Sequence, residues 1–180
     1  MSGIVAYGAY IPYYRLPRSV INKAWGRGGG SGERAVANYD EDSVSMSVAA
    51  GLDCLKGIDP KSLDGLYLAT TTAPYKERLN ANIVSTALDL RRETRSADFC
   101  NCLKAGTTAI MAAKDAVDAG SAKSILVTAA DMRMGGGMGA NEQNFGDGAA
   151  ALLIGNENVA AEIEASYTLS DDLVDNWRAH

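Results

Sequence analysis

Five short apolar runs, Gly3 to Ile11, Leu66 to Thr70, Ser96 to Asn101, Ser124 to Ala130 and Ala149 to Gly155, alternate with segments of helical periodicity. Runs of this length without polar alternation predict strands, most of them covered on both faces. The segments Asp42 to Leu55, Asn80 to Leu88 and Cys102 to Ala119 predict helices. The last of these places Leu103, Gly106, Ile110, Ala113 and Val117 at three-and-four spacing. Strands separated by helices of this size indicate an α/β fold with a mixed or parallel sheet in layers. Ala105, Gly106, Ala109, Ala112, Ala113, Ala116 and Ala119 crowd the third helix with small side chains, so its backbone can approach a neighbouring layer closely. It reads as a central helix lying on the sheet.

Composition narrows the partners. The chain has 180 residues, 47% hydrophobic and 22% charged, enough to bury a core as one domain or as one large half of a longer protein. A net charge of -5, with acidic residues spread along the chain, provides no basic stripe, so neither nucleic acid nor an anionic membrane surface is expected as a partner. No apolar run approaches the ~18 residues of a spanning helix, and Met1-Ser2-Gly3 leads into an apolar strand without a signal peptide. A cytoplasmic location is expected. Three cysteines, Cys54, Cys100 and Cys102, form no CxxC pair, which predicts free thiols rather than a disulfide framework or a metal site. The single histidine, His180, closes the chain, so it reaches a cysteine or serine only if the terminus folds back.

Two glycine-rich stretches interrupt the alternation. Gly26 to Asn38 lacks periodicity and predicts a mobile surface loop. Met134 to Ala140 carries two methionines between predicted strands, which fits a floppy connection or an adaptable apolar lip. Neither stretch is followed by the Gly-Lys-Ser/Thr of a phosphate-binding loop.

The segment most informative about chemistry is Asp98-Phe99-Cys100-Asn101-Cys102-Leu103-Lys104-Ala105-Gly106-Thr107-Thr108, where a predicted strand turns into the small-residue helix. Unpaired N–H groups and the positive end of the dipole at a helix start favour thiolate over thiol, the nucleophilic form of cysteine. Cys102 fits that position best, with Cys100 on the same strand face but deeper in the sheet. The plainer alternative makes both of them small buried hydrophobes. Cys54, on an alanine-rich helix, is expected in the core. In Phe145-Gly146-Asp147-Gly148-Ala149 a tight turn feeds a strand, and Asp147 is expected to cap local backbone amides.

Taken together, these segments resemble a known group. Gly8-Ala9-Tyr10-Ile11-Pro12-Tyr13-Tyr14-Arg15, followed by Ala24-Trp25-Gly26, is similar to the opening of archaeal and bacterial 3-hydroxy-3-methylglutaryl-CoA synthase-like proteins. The helix Asp42 to Leu55, the turn Lys104-Ala105-Gly106-Thr107 and the motif Phe145-Gly146-Asp147-Gly148-Ala149 keep the order of that branch of the thiolase superfamily. The resemblance covers almost the whole chain. It implies a protein of two similar halves, each a five-stranded mixed sheet covered by helices, of which residues 1–180 form the N-terminal one. The charged ending Asp175-Asn176-Trp177-Arg178-Ala179-His180 is then expected to be interrupted before the second half.

The resemblance further implies a homodimer formed through this half. It implies an acyl-CoA partner in which the coenzyme A thioester is substrate, with no covalently bound cofactor and no metal, and a cysteine nucleophile, here Cys102. Histidine and other polar groups would come from the second half. Two positions depart from the synthases. A gapless comparison puts Leu103, not Cys102, at the nucleophile position, and on a helix one residue turns a side chain by roughly 100 degrees. The glutamate acid/base that precedes a proline-tyrosine pair is replaced, since Thr70-Thr71-Thr72-Ala73-Pro74-Tyr75 stands there and Glu77 lies on the wrong side of the pair. Both changes resemble synthase-like thiolases fused to, or paired with, a zinc-ribbon and OB-fold module. Two functions are therefore expected: acyl transfer by thiolase-type cleavage or Claisen-type condensation through Cys102, or a catalytically silent scaffold or acyl-CoA-binding subunit.

Overall fold

A computed structural model describes residues 2–26 and 30–172. His180, the segment Asp175 to His180 and the glycines Gly28 and Gly29 lie outside the described residues.

The chain opens with β1 (Gly3–Tyr10), then β2 (Tyr14–Pro17), α1 (Arg18–Trp25) and β3 (Glu33–Val36). The core elements follow as α2 (Ser43–Cys54), β4 (Gly65–Thr70), α3 (Asn80–Ala87), β5 (Arg95–Cys100), α4 (Ala105–Asp118) and β6 (Ser124–Asp131). A short helix α5 (Ala140–Asn144), β7 (Gly148–Gly155) and β8 (Ala161–Glu162) complete them. Every strand and helix expected from periodicity is present, and the central sheet has the order β5-β4-β6-β7-β1-β8. The three strands β5, β4 and β6 run parallel, whereas β7 is antiparallel to both β6 and β1. The sheet is therefore mixed as expected, its five strands extended by the two-residue β8 pairing with Gly3 and Ile4.

The sheet has helices on both faces. On one side α2 and α3 cover Leu66, Leu68, Leu126, Ala151 and Leu153, and on the other α4 covers Tyr67, Ala69, Ile125, Val127 and Ile154. Leu66, Leu68, Ile125 and Leu126 are completely buried, each contributing about 1.5–3 kcal/mol of hydrophobic stabilisation. Helix α4 turns Ala105, Ala109, Ala113 and Val117 into the sheet. With methyl groups at three of these positions, the helix can lie close, as the small-residue pattern predicts. On the opposite face Gly8 brings β1 against α2, because a Cβ there would fall 2.3 Å from the Cys54 nitrogen.

Two expectations change. Helix α4 starts at Ala105 rather than Cys102, because Asn101 takes a left-handed conformation (φ 61°) and residues Cys102 to Lys104 form a turn. Leu103 thereby leaves the buried helical face and is 64% exposed. The expectation of a mobile loop over Gly26 to Asn38 fails at Glu33–Val36, where β3 pairs antiparallel with β2 in the register Arg15↔Ala35. That hairpin is held to the body by long-range bonds: Arg18 Nε donates to the Gln143 carbonyl at 2.9 Å, and Arg34 Nη1 to the Phe145 carbonyl at 2.8 Å. Arginine hydrogen bonds to backbone carbonyls distant in sequence order a segment whose own composition lacks a strand signal. Among the described residues, no helix is long and apolar enough to cross a membrane.

Candidate active site

Parallel pairing of β4 with β6 matches Leu68 to Thr128 and Ala69 to Ala129, so the two strands end side by side. Antiparallel β7 begins there as well, with Gly148 opposite Asp131. The turn that leads from β5 into α4 closes the same end. A cavity of about 410 Å³ opens between them, lined by Thr70, Thr71, Cys102, Leu103, Gly106, Asp131 and Gly148 with flanking alanines.

Cys102 is exposed, and its Sγ accepts a hydrogen bond from the Lys104 backbone N–H at 3.3 Å. The turn is closed by the Ala105 N–H, which donates to the Cys102 carbonyl at 3.0 Å. No side chain of its N-cap residue caps α4, and Ala105 and Gly106 at its head line the cavity. The expected placement of Cys102 at a strand-to-helix junction holds, with the sulfur on the turn that precedes the helix. Leu103 lines the same cavity rather than replacing Cys102 in it.

The other thiols are placed differently. Cys100 is partly buried on β5 beside Thr70, and burial, then the negative charges of Asp98 and Asp131, push its thiol up. Cys54 is core, as expected, with its thiol pushed up to about 11 by burial first of all. Asp147 is buried and structural, but it does not cap its own turn. Its Oδ2 accepts from the Ala37 N–H at 2.8 Å, while its own N–H donates to the Ala35 carbonyl at 3.1 Å, clamping the chain after β3. The methionines of Met134 to Ala140 do not line the cavity. That segment instead folds against α1, with the Trp25 indole N–H and the Met138 amide both donating to Glu142 Oε2, at 2.9 and 2.8 Å.

Sequence reasoning missed Asp131. Thr70, the last residue of β4, and Thr71 and Thr72 after it all turn their hydroxyls to Asp131 Oδ1, at 3.0, 3.0 and 3.1 Å. The Thr71 amide joins them at 2.6 Å. A polar residue ending an apolar run, set against a threonine run ending another, was the available signal. It becomes informative only once the two strands are known to be parallel neighbours. Glu77 is exposed and does not line the cavity.

No protein-family model matches the chain. It is 36% identical over 187 aligned residues to the hydroxymethylglutaryl-CoA synthase of Methanocaldococcus jannaschii, covering 99% of this chain and 54% of that protein. Its fold is similar to that of MvaS in complex with 3-hydroxy-3-methylglutaryl coenzyme A, with a TM-score of 0.79 and 27% identity, covering 87% of this chain and 40% of that one. A hydroxymethylglutaryl-CoA synthase complexed with CoA superposes with a TM-score of 0.80 at 23% identity, over 87% of this chain and 42% of that one. The chain spans about half the length of the curated relatives it matches.

Proposed function

We propose that this chain, a thiolase-fold polypeptide of the 3-hydroxy-3-methylglutaryl-CoA synthase-like branch, is the N-terminal half of an acyl-CoA-dependent enzyme in which Cys102 carries the acyl group. The observation that supports it is the meeting of an accessible sulfur, a backbone N–H directed at it and a cavity at the ends of the parallel strands. In the first step Sγ attacks the thioester carbonyl, charge moves to the carbonyl oxygen, and coenzyme A leaves as the thiol. Backbone amides at the head of α4 supply fixed donors toward such an oxyanion, a contribution worth ~10²–10³ in rate per donor in comparable sites. The acyl group on sulfur then enters a Claisen-type condensation, or arises from the reverse cleavage.

Residues 1–180 form one N-terminal domain in this reading, with remaining polar groups supplied by a second half, in a cytoplasmic homodimer. A zinc-ribbon and OB-fold module is the proposed accessory partner. A second reading, a silent scaffold or acyl-CoA-binding subunit, is favoured by one observation: Leu103 stands at the gapless nucleophile position and shares the cavity. The experiment that separates them incubates the native assembly with acyl-CoA, traps any thioester and locates it by mass spectrometry. A label on Cys102 that Cys102→Ala removes and Cys100→Ala keeps supports the enzyme. Its absence from the wild-type protein supports the scaffold.

A further inference from the structure

A condensing site needs more than a nucleophile. Carbon–carbon bond formation requires that a proton leave the α-carbon of one acyl thioester, and the positions equivalent to the expected glutamate hold threonines, which do not titrate usefully. Among the residues lining the Cys102 cavity, Asp131 is the one carboxylate. Four donors converge on a single oxygen, Oδ1: the three threonine hydroxyls and the Thr71 amide. The arrangement is further tied down by the Met132 N–H donating to Thr72 Oγ1 at 3.0 Å and the Thr72 N–H donating to Thr70 Oγ1 at 3.0 Å. Among the described residues none of these bonds goes to Oδ2. The grip orients the carboxylate and leaves Oδ2 without one of these bonds, on a residue that lines the Cys102 cavity, where a general base has to stand to reach a substrate proton.

We propose that Asp131 is the base of the condensation, taking over with its free oxygen the role that the threonine run cannot perform. This rests on the acyl-transfer reading above. Asp131 Oδ2 removes a proton from the α-carbon of an acyl-CoA. The C–H electron pair becomes the enolate double bond, and the charge is carried on the thioester oxygen. The enolate carbon bonds to the carbonyl carbon of the acyl group on Cys102, the C–S bond to Sγ breaks, and the sulfur leaves with that electron pair. The proton stays on Asp131 until solvent or the departing thiolate takes it up. In the cleavage direction each step reverses. The threonines are positioning residues: they hold the carboxylate and touch no reacting atom.

The test is deuterium exchange into the α-position of acetyl-CoA in D₂O by the native assembly, run beside mass-spectrometric measurement of acyl label on Cys102. Wild type is expected to exchange the α-hydrogens. Asp131→Asn, which keeps the shape and an acceptor for the threonines, is expected to slow exchange by about 100-fold or more. Asp131→Glu, which restores a carboxylate, should recover part of the exchange. Exchange at the wild-type rate in Asp131→Asn, or none in wild type, overturns the proposal. If the Asn variant does not fold, the Glu variant decides, because a folded Glu variant with no exchange also overturns it. Wild-type exchange without label on Cys102 overturns the covalent reading and leaves Asp131 as the base.

Discussion

At the scale of single residues, the three cysteines should behave as three different groups. Cys54 is buried and its thiol is pushed up to about 11, Cys100 is partly buried and pushed up, and Cys102 is exposed on its turn. Only the thiolate reacts with an alkylating reagent, so at pH 8 iodoacetamide should modify Cys102 first, Cys100 more slowly and Cys54 only on unfolding. Peptide mapping over a time course reads that order directly, and early alkylation of Cys54 would contradict the packing. A second residue-scale prediction concerns Gly8. A methyl group there meets the Cys54 nitrogen and the Ala50 carbonyl oxygen, at 2.3 and 2.5 Å, both of them backbone atoms that cannot swing aside. Gly8→Ala is expected to cost about 1–3 kcal/mol in chemical denaturation. Cys102 was legible in the sequence because its environment is local, a strand running into a helix within a few residues. Asp131 was not, because the threonines that hold it lie some sixty positions away and reach it only through the β4–β6 register.

At the scale of elements, the joints between strands and helices are held by carboxylates. Helix α3 has no cap from its own N-terminal residue, Leu79. Instead Asp98, on the neighbouring strand β5, accepts from the Asn80 and Ala81 amides, both at 2.7 Å, and from the Asn80 side chain at 2.9 Å. A negative charge on the first amides of a helix is favourable both as a cap and toward the dipole. Asp98→Ala should therefore destabilise the protein by about 2 kcal/mol, with loss of amide protection concentrated in α3, as hydrogen exchange would show. At the base of the parallel strands, Asp64 accepts from the Lys123 amide at 2.7 Å and from Arg91 at 2.9 Å. The Lys123 N–H first, and Arg91 with it, outweigh partial burial and hold its carboxyl below the ordinary 3.8. A carboxyl depressed in the folded state stabilises above its unfolded value and loses that contribution as pH falls through the folded one. Asp64→Asn should accordingly cost about 1 kcal/mol at pH 7, a difference that closes below pH 3.8 in melts run across that range. The element boundaries that periodicity misplaced are of the same kind. The α4 start moved to Ala105 because a left-handed asparagine, not the apolar pattern, sets where the strand ends. The β2–β3 hairpin was hidden because arginine contacts to the far end of the chain order it.

At the scale of the whole molecule, the two faces of the sheet are unequally covered. Helices α2 and α3 share one face, whereas α4 alone lies on the other, over β5, β4, β6 and β7. A bulge between Ile4 and Ala6 carries the alternation of β1 across, so Gly8 meets α2 while Tyr7 points to the α4 side, 79% exposed. Its neighbour across the ladder, Leu152, is only partly buried, and Thr107, Thr108 and Asp115 stand on the outer side of α4. A large aromatic ring left in the open on the β1 side of a sheet face, where β8 no longer pairs, is the feature to be explained, rather than a scattered surface leucine. In the proposed two-half protein, a second layer packed on α4 and the free end of this face accounts for it. Hydroxyl-radical footprinting then gives a sharp expectation. In the isolated 180-residue chain Tyr7 should oxidise like a free tyrosine, and in the native assembly about tenfold more slowly, while Tyr39, fully exposed in the segment leading into α2, changes little. Equal oxidation of Tyr7 in the two preparations would mean that this face stays bare. The cavity at Cys102 and Asp131 would then be completed by some surface other than a second half.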